Sequence, residues 1–155
     1  MILTGSIRSG KTTRLARWAE DRRHVGGVLS PDGPEGRFFL DLATGDTRAM
    51  EHPGPQEEAI VVGRFRFRAA AFEWANARLS EAAWPPRHDS PRSGVIAIDE
   101  IGPLELRGGG LRSGLEAALR QRPSDVLLVV REQLVGDVVR EFGLDHAEVV
   151  SEIGW

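Results

Sequence analysis

Apolar positions along this chain fall into two kinds of run. Short unbroken stretches at Met1–Thr4, Val25–Leu29, Val95–Ile98 and Val126–Val130 have strand length and no polar interruption. Between them, apolar residues recur every three or four positions. Leu15, Trp18 and Ala19 mark a helix from Lys11 to about Arg23, and Ala69 to Trp84 reads as another, stopped by Pro85-Pro86. Leu111, Leu115, Ala118 and Leu119 mark a third, and Leu134, Val138 and Phe142 a fourth; Val149-Val150 reads as a last strand. The turn signal Pro31–Pro34 closes the second strand. Arg37–Leu42 and Thr47–Met50 flank Ala43-Thr44-Gly45-Asp46, as a hairpin would, and one further short strand is expected over Val62–Phe67. A polar loop, Arg87–Ser93, leads into Val95. Fully apolar strands alternating with amphipathic helices imply a mostly parallel sheet covered on both faces, with a small antiparallel hairpin region. The expectation is one α/β domain over residues 1–155.

Composition narrows the class. A chain of 155 residues with 41% hydrophobic and 28% charged content suits a globular protein that needs no disulfide or structural metal for its core. The absence of cysteine excludes disulfide frameworks, zinc knuckles and thiol catalysis. A formal net charge of −3 argues against a dedicated nucleic-acid binder. No apolar run approaches the ~18 residues of a membrane span, so no membrane partner is expected. Met1–Gly5 does not resemble a signal peptide, which makes the cytoplasm the expected location. Lys11 is the sole lysine among 20 lysines and arginines. An ammonium is compact where a guanidinium is planar and wide, so a lone lysine points to a tight site.

That site is legible around it. Gly5-Ser6-Ile7-Arg8-Ser9-Gly10-Lys11-Thr12 fits G-x-x-x-x-G-K-[ST], placed directly after an apolar strand and directly before a helix. Glycines let the backbone wrap a phosphate, and the N–H groups at the helix start face its charge. Lys11 would reach the β- and γ-phosphates, the Thr12 hydroxyl would ligate Mg²⁺, and Thr13 could bond the α-phosphate. The motif implies a bound nucleoside triphosphate such as ATP or GTP.

Val95–Ile98 ends in Asp99-Glu100. In enzymes with this phosphate loop, an Asp at such a strand end holds the metal. A Glu directly after it points toward the γ-phosphate and can orient or deprotonate a water. Parallel strands present their C-terminal ends to one crevice, which brings the two motifs together. The Asp-Glu pair favours hydrolysis over transfer to an acceptor, and no Asn-Lys-x-Asp is present to specify guanine.

Gly5–Thr12, together with Ile98-Asp99-Glu100-Ile101-Gly102-Pro103-Leu104-Glu105-Leu106, resembles the small nucleoside-triphosphatases known from thermophiles and as a human cancer-related enzyme. Gly26–Pro31, Asp41–Gly45 and Val62–Phe65 resemble that family's middle region. The resemblance implies a three-layer, RecA-like core that hydrolyses ATP, GTP and other triphosphates with Mg²⁺. Glu100 would then activate water, and Glu105 matches the family's second acid, as either a metal-shell residue or a structural cap. The loop interior, Ser6-Ile7-Arg8-Ser9, departs from the family, and Arg8-Ser9-Gly10-Lys11 is similar to the loop of the cobinamide kinase/guanylyltransferase.

Arg131 follows Val126–Val130 and should face the crevice as a γ-phosphate sensor or internal arginine finger, or else stand exposed at a strand end. Arg8 has similar standing. Arg64, Arg66 and Arg68 would line one strand face opposite Phe65 and Phe67, as a phosphate-binding strip or a charged edge. His24, His52, His88 and His146 lack metal spacing; Trp18 and Trp74 are expected in the core, as are Trp84 and Trp155, whose alternative is packing on a base or a partner. A triphosphatase, taken as a monomer, is the leading reading. A small-molecule or nucleotide kinase and a nucleotide-timed binding module are its alternatives.

Overall fold

A computed structural model describes residues 1–5, 10–22, 24–81, 94–120 and 125–152. Its elements, in chain order, are β1 (Ile2–Gly5), α1 (Lys11–Glu20), β2 (Val25–Leu29), β3 (Asp32–Gly33), β4 (Gly36–Asp41), β5 (Thr47–Ala49), β6 (Ala59–Val62) and β7 (Phe65–Arg68). There follow α2 (Ala69–Ser80), β8 (Val95–Ile101), α3 (Pro103–Leu106), α4 (Arg112–Arg120), β9 (Asp125–Arg131), a 3₁₀ turn (Glu132–Leu134), α5 (Val135–Phe142) and β10 (Val149–Val150).

The main sheet runs β10-β1-β9-β8-β2-β4-β3, with β5 on β4. Its first five strands pair in parallel, and β4 turns the edge antiparallel. Strand β9 is inserted between β1 and β8, the two strands that carry the nucleotide motifs. This is the RecA-like, mostly parallel arrangement expected above.

Both faces of the parallel strands are apolar because successive side chains point to opposite sides. Leu3, Ala97, Leu127 and Val129 pack with Leu15 of α1 on one face. Ile2, Ile96, Ile98, Leu128 and Val130 pack on the other with Phe72, Ala75 and Leu79 of α2, Leu115 and Ala118 of α4 and Val138 of α5. Gly27 lets β2 and β8 meet closely. At φ +114° a Cβ there would stand 1.9 Å from the Ala97 carbonyl oxygen.

Several expectations need correction. Val62–Phe67 is not one strand but the middle of the β6–β7 hairpin, because Gly63 takes φ +59° and reverses the chain. The arginine strip is broken as a result. Arg64 sits in the turn, while Arg68 is tied to Glu57 and to the carbonyls of Glu51 and His52. The first long helix stops at Glu20 and the second at Ser80, short of Arg23 and Trp84. Trp18 and Trp74 are only partly buried at the margins of the core, under Arg22 in one case and between Arg48 and Arg78 in the other. Trp84, His88, Trp155 and the loop Arg87–Ser93 lie outside the described residues.

Gly27→Ala combines a strained backbone with a clash against β8, and should cost about 3 kcal/mol or more. Urea unfolding of the variant measures this. A midpoint equal to wild type would contradict the close approach of these strands.

Candidate functional site

Four parallel strands deliver the site. β1 ends at Gly5, which pairs with Arg131 at the end of β9. β2 ends at Leu29, one residue before Ser30, and β8 carries Asp99 and Glu100. Gly10 caps α1 with φ +74°, a left-handed conformation suited to glycine. The first two residues of α1 are Lys11 and Thr12, followed by exposed Thr13. Lys11 Nζ donates to the Gly5 carbonyl at 3.1 Å, so the ammonium lies back over the loop mouth. Ser6, Ile7, Arg8 and Ser9, the loop interior, lie outside the described residues.

The two acids are separated by a local irregularity of β8. Between Ile98 and Ile101 the strand advances three residues while β9 advances two, from Leu128 to Val130. Glu100 takes φ +58° within this bulge. Bulges re-aim side chains, and a non-glycine left-handed residue stores roughly 1–3 kcal/mol of strain. Here Glu100 is re-aimed to meet Arg37, while Asp99 stays buried.

Asp99 turns inward and is 1% exposed. Its Oδ2 accepts the Thr12 hydroxyl at 2.7 Å, the Ser30 N–H at 3.3 Å and the Ser30 hydroxyl at 3.4 Å. Its Oδ1 accepts the Glu100 N–H at 3.0 Å. Burial pushes this carboxyl above the ordinary aspartate range, against the pull of those donors. A divalent cation would reverse that balance by favouring the charged form. The pair fits Mg²⁺: a hydroxyl and a carboxylate are hard oxygen donors, already side by side, and Mg²⁺ takes few protein ligands beside phosphates and waters. No cluster of three or more acidic or histidine side chains that could cage a metal by itself occurs among the described residues.

Glu100 turns outward. Arg37 Nη1 donates to its Oε2 at 2.6 Å, and Arg37 Nε donates to Asp32 Oδ1 at 3.3 Å. Burial pushes the Glu100 carboxyl up; Arg37 opposes this, Asp99 adds to it, and Arg131 again opposes. Arg131 ends β9, the strand paired to β8, with an exposed side chain. Lys11, Thr12, Asp99, Glu100 and Arg131 thus gather at one end of the sheet.

Glu105 is built into the scaffold. Its Oε2 accepts the Gly102 N–H at 2.9 Å and its Oε1 accepts the Leu111 N–H at 2.9 Å, with the side chain buried. Of the two roles left open for it, the structure supplies the cap. Ser30 and Arg37 were not singled out from sequence. Ser30 carried a usable signal, as the first residue after a core strand; Arg37 carried none, because its approach to Glu100 spans 63 positions.

Residues 1–153 match the model of a family described as NTPase. The chain is 25% identical to the nucleoside-triphosphatase THEP1 of Methanopyrus kandleri, covering 97% of this chain and 83% of that protein. It superposes on the crystal structure of THEP1 from Aquifex aeolicus with a TM-score of 0.71 at 24% identity, over 97% of this chain and 87% of the other. The solution structure of a human cancer-related nucleoside triphosphatase gives 0.66 at 21% identity, over 99% and 88%. The two structural likenesses speak to fold. No helix among the described residues is long and apolar enough to cross a membrane.

Glu105→Gln would set an amide NH₂ against a backbone N–H and should lower stability by about 1–3 kcal/mol. Urea unfolding checks this, alongside titration of Mg²⁺ affinity. Unchanged stability with weakened Mg²⁺ affinity would return Glu105 to the metal shell.

Proposed function

This chain belongs to the NTPase family of nucleoside-triphosphatase enzymes, and from that premise we propose that it hydrolyses ATP, GTP and other nucleoside 5′-triphosphates to diphosphate and phosphate with Mg²⁺. The observation that carries the reading is the 2.7 Å bond between Thr12, the second residue of α1, and Asp99, which follows the apolar part of β8. That bond supports one crevice shared by the phosphate-loop motif and the acidic strand end.

In this reading, Gly5, Ser6, Ile7, Arg8, Ser9, Gly10, Lys11, Thr12 and Thr13 hold the phosphates. Lys11 leaves the Gly5 carbonyl for the β- and γ-phosphate oxygens. Thr12 and Asp99 would hold Mg²⁺, which supplies positive charge to the phosphate oxygens when bound. Glu100 orients a water toward the γ-phosphorus. The water oxygen bonds to that phosphorus while its bond to the β–γ bridging oxygen breaks. One water proton passes to Glu100, and the electron pair of the broken bond leaves on the diphosphate. Arg131, paired to the first residue of the loop, adds positive charge where the transferring phosphoryl group gains negative charge.

Base tolerance follows from placing every assigned contact on the phosphates. The cytoplasm and a monomeric state complete the proposal.

Glu100→Gln keeps the shape of the side chain but cannot take the proton. It should still bind triphosphate and Mg²⁺ yet lose hydrolysis by roughly 10²-fold or more. Lys11→Ala should lose triphosphate binding itself. Phosphate release and nucleotide binding measured on both variants test the assignment, and normal turnover in Glu100→Gln would move the base elsewhere.

A further inference from the structure

The bond between Arg37 and Glu100 has no part in the hydrolytic scheme above, yet it engages the residue to which that scheme gives the water. Arg37 lies on β4, in the antiparallel extension of the sheet, while Glu100 lies in the bulge of β8. Two features make the contact specific. The 2.6 Å distance is that of a charge-assisted hydrogen bond. The guanidinium is also held from its other side, since Nε bonds Asp32, the cross-strand partner of Arg37 in the β3–β4 pair. Arg37 thus bridges Asp32 on its own hairpin and Glu100 across the crevice.

A third feature makes the contact exchangeable. The Arg37 side chain is 23% exposed and that of Glu100 40% exposed. An ion pair this open to water is weak, because solvent screens it and competes for both partners. Phosphate offers a guanidinium more charge and several acceptor oxygens in a geometry that suits its planar fork. A guanidinium carries five N–H donors, and the bonds to Asp32 and Glu100 use only Nε and one Nη1 hydrogen. A phosphoryl group held at Lys11 and next to Glu100 would meet the remaining donors while Asp32 keeps hold of Nε.

We propose that Arg37 is a nucleotide-exchanged latch, whose guanidinium holds Glu100 in the nucleotide-free enzyme and passes to the γ-phosphate when a triphosphate binds, releasing Glu100 to the water. The inference rests on the hydrolytic reading of this crevice and adds to it a γ-phosphate ligand and a resting state. A diphosphate has no γ-phosphate, so it leaves the latch closed. Glu100 then reaches a water only when a cleavable bond is present. Arg131 is distinct from this device: it approaches from β9 beside the loop, whereas Arg37 approaches from the opposite flank of β8, beyond β2.

The test compares affinities for a non-hydrolysable triphosphate analogue and for the matching diphosphate, together with kcat and KM, in wild type, Arg37→Ala and Arg37→Lys. Arg37→Ala should bind the diphosphate as wild type does. It should lose about tenfold or more of its preference for the triphosphate analogue, the scale of one charge-assisted hydrogen bond, with kcat reduced by at least about tenfold. Arg37→Lys keeps the positive charge on β4 but cannot serve Asp32 and a phosphate together, so it should show the same loss in smaller degree. It carries the test if the alanine variant does not fold. A general loss of structure would weaken diphosphate and analogue alike and would not produce this split.

The resting half is read by arginine side-chain NMR on the nucleotide-free protein. The Arg37 Nη resonance, identified by its loss in Arg37→Lys, should exchange with water more slowly than it does in Glu100→Gln. Adding the triphosphate analogue to Glu100→Gln should slow it again, and adding the diphosphate should not. An unchanged triphosphate preference in both Arg37 variants, or an Arg37 resonance indifferent to Glu100→Gln, overturns the latch. Normal hydrolysis by Glu100→Gln overturns instead the assignment of the base, so the two failures are distinguishable.

Discussion

The hydrogen bond from the Thr12 hydroxyl to Asp99 joins the start of α1 to the end of β8 across the intervening strand β9. Everything else in the crevice is placed relative to it. Lys11 precedes Thr12 on the first turn of the helix, and Glu100 follows Asp99 in the bulge. The bond lies in an apolar setting: Ala97 and Ile98 of β8 and Leu128 and Val129 of β9 are all buried around the strand ends. A carboxyl buried there is costly unless each oxygen is satisfied. Thr12, Ser30 and the Glu100 backbone supply those donors. Packing the sheet thus fixes the polar geometry, and the polar geometry rules out other arrangements of α1 on β8.

The bulge converts that constraint into two chemistries. In a regular strand, Asp99 and Glu100 would point to opposite faces of the sheet, one toward each helix layer. The extra residue and the left-handed Glu100 backbone instead leave Asp99 buried against Thr12 and Ser30 and bring Glu100 out to Arg37. The proposed hydrolysis gives the first carboxylate a cation to hold and the second a proton to take. The strain of the Glu100 backbone is offset by its own N–H, which donates to Asp99.

Much of this was legible in the chain. Strand and helix periods located the four core parallel strands, and even the two-residue β10, because buried parallel strands are apolar throughout. The Gly5–Thr12 spacing and the acids after Ile98 named the crevice because both motifs are local in sequence. The β6–β7 hairpin was not legible. Val62, Phe65 and Phe67 suggest one strand, and the left-handed turn at Gly63 is a conformation that the hydrophobic pattern does not record. Arg37 was hidden for a different reason. Its significance comes from the antiparallel edge, where β4 pairs with β2 and β3, and no local pattern encodes that pairing. Glu105 sat inside a recognisable motif, but its role depended on the Leu111 N–H, six residues on, closing over it.

The proposed hydrolysis requires water to attack the terminal phosphorus of a bound triphosphate. It is tested most directly by incubating the purified protein with ATP and Mg²⁺ in oxygen-18 water, with no acceptor present, and analysing the products by mass spectrometry. The account predicts orthophosphate carrying one solvent oxygen and a diphosphate carrying none. Label in the nucleotide product, or no phosphate release until an acceptor is added, would contradict it.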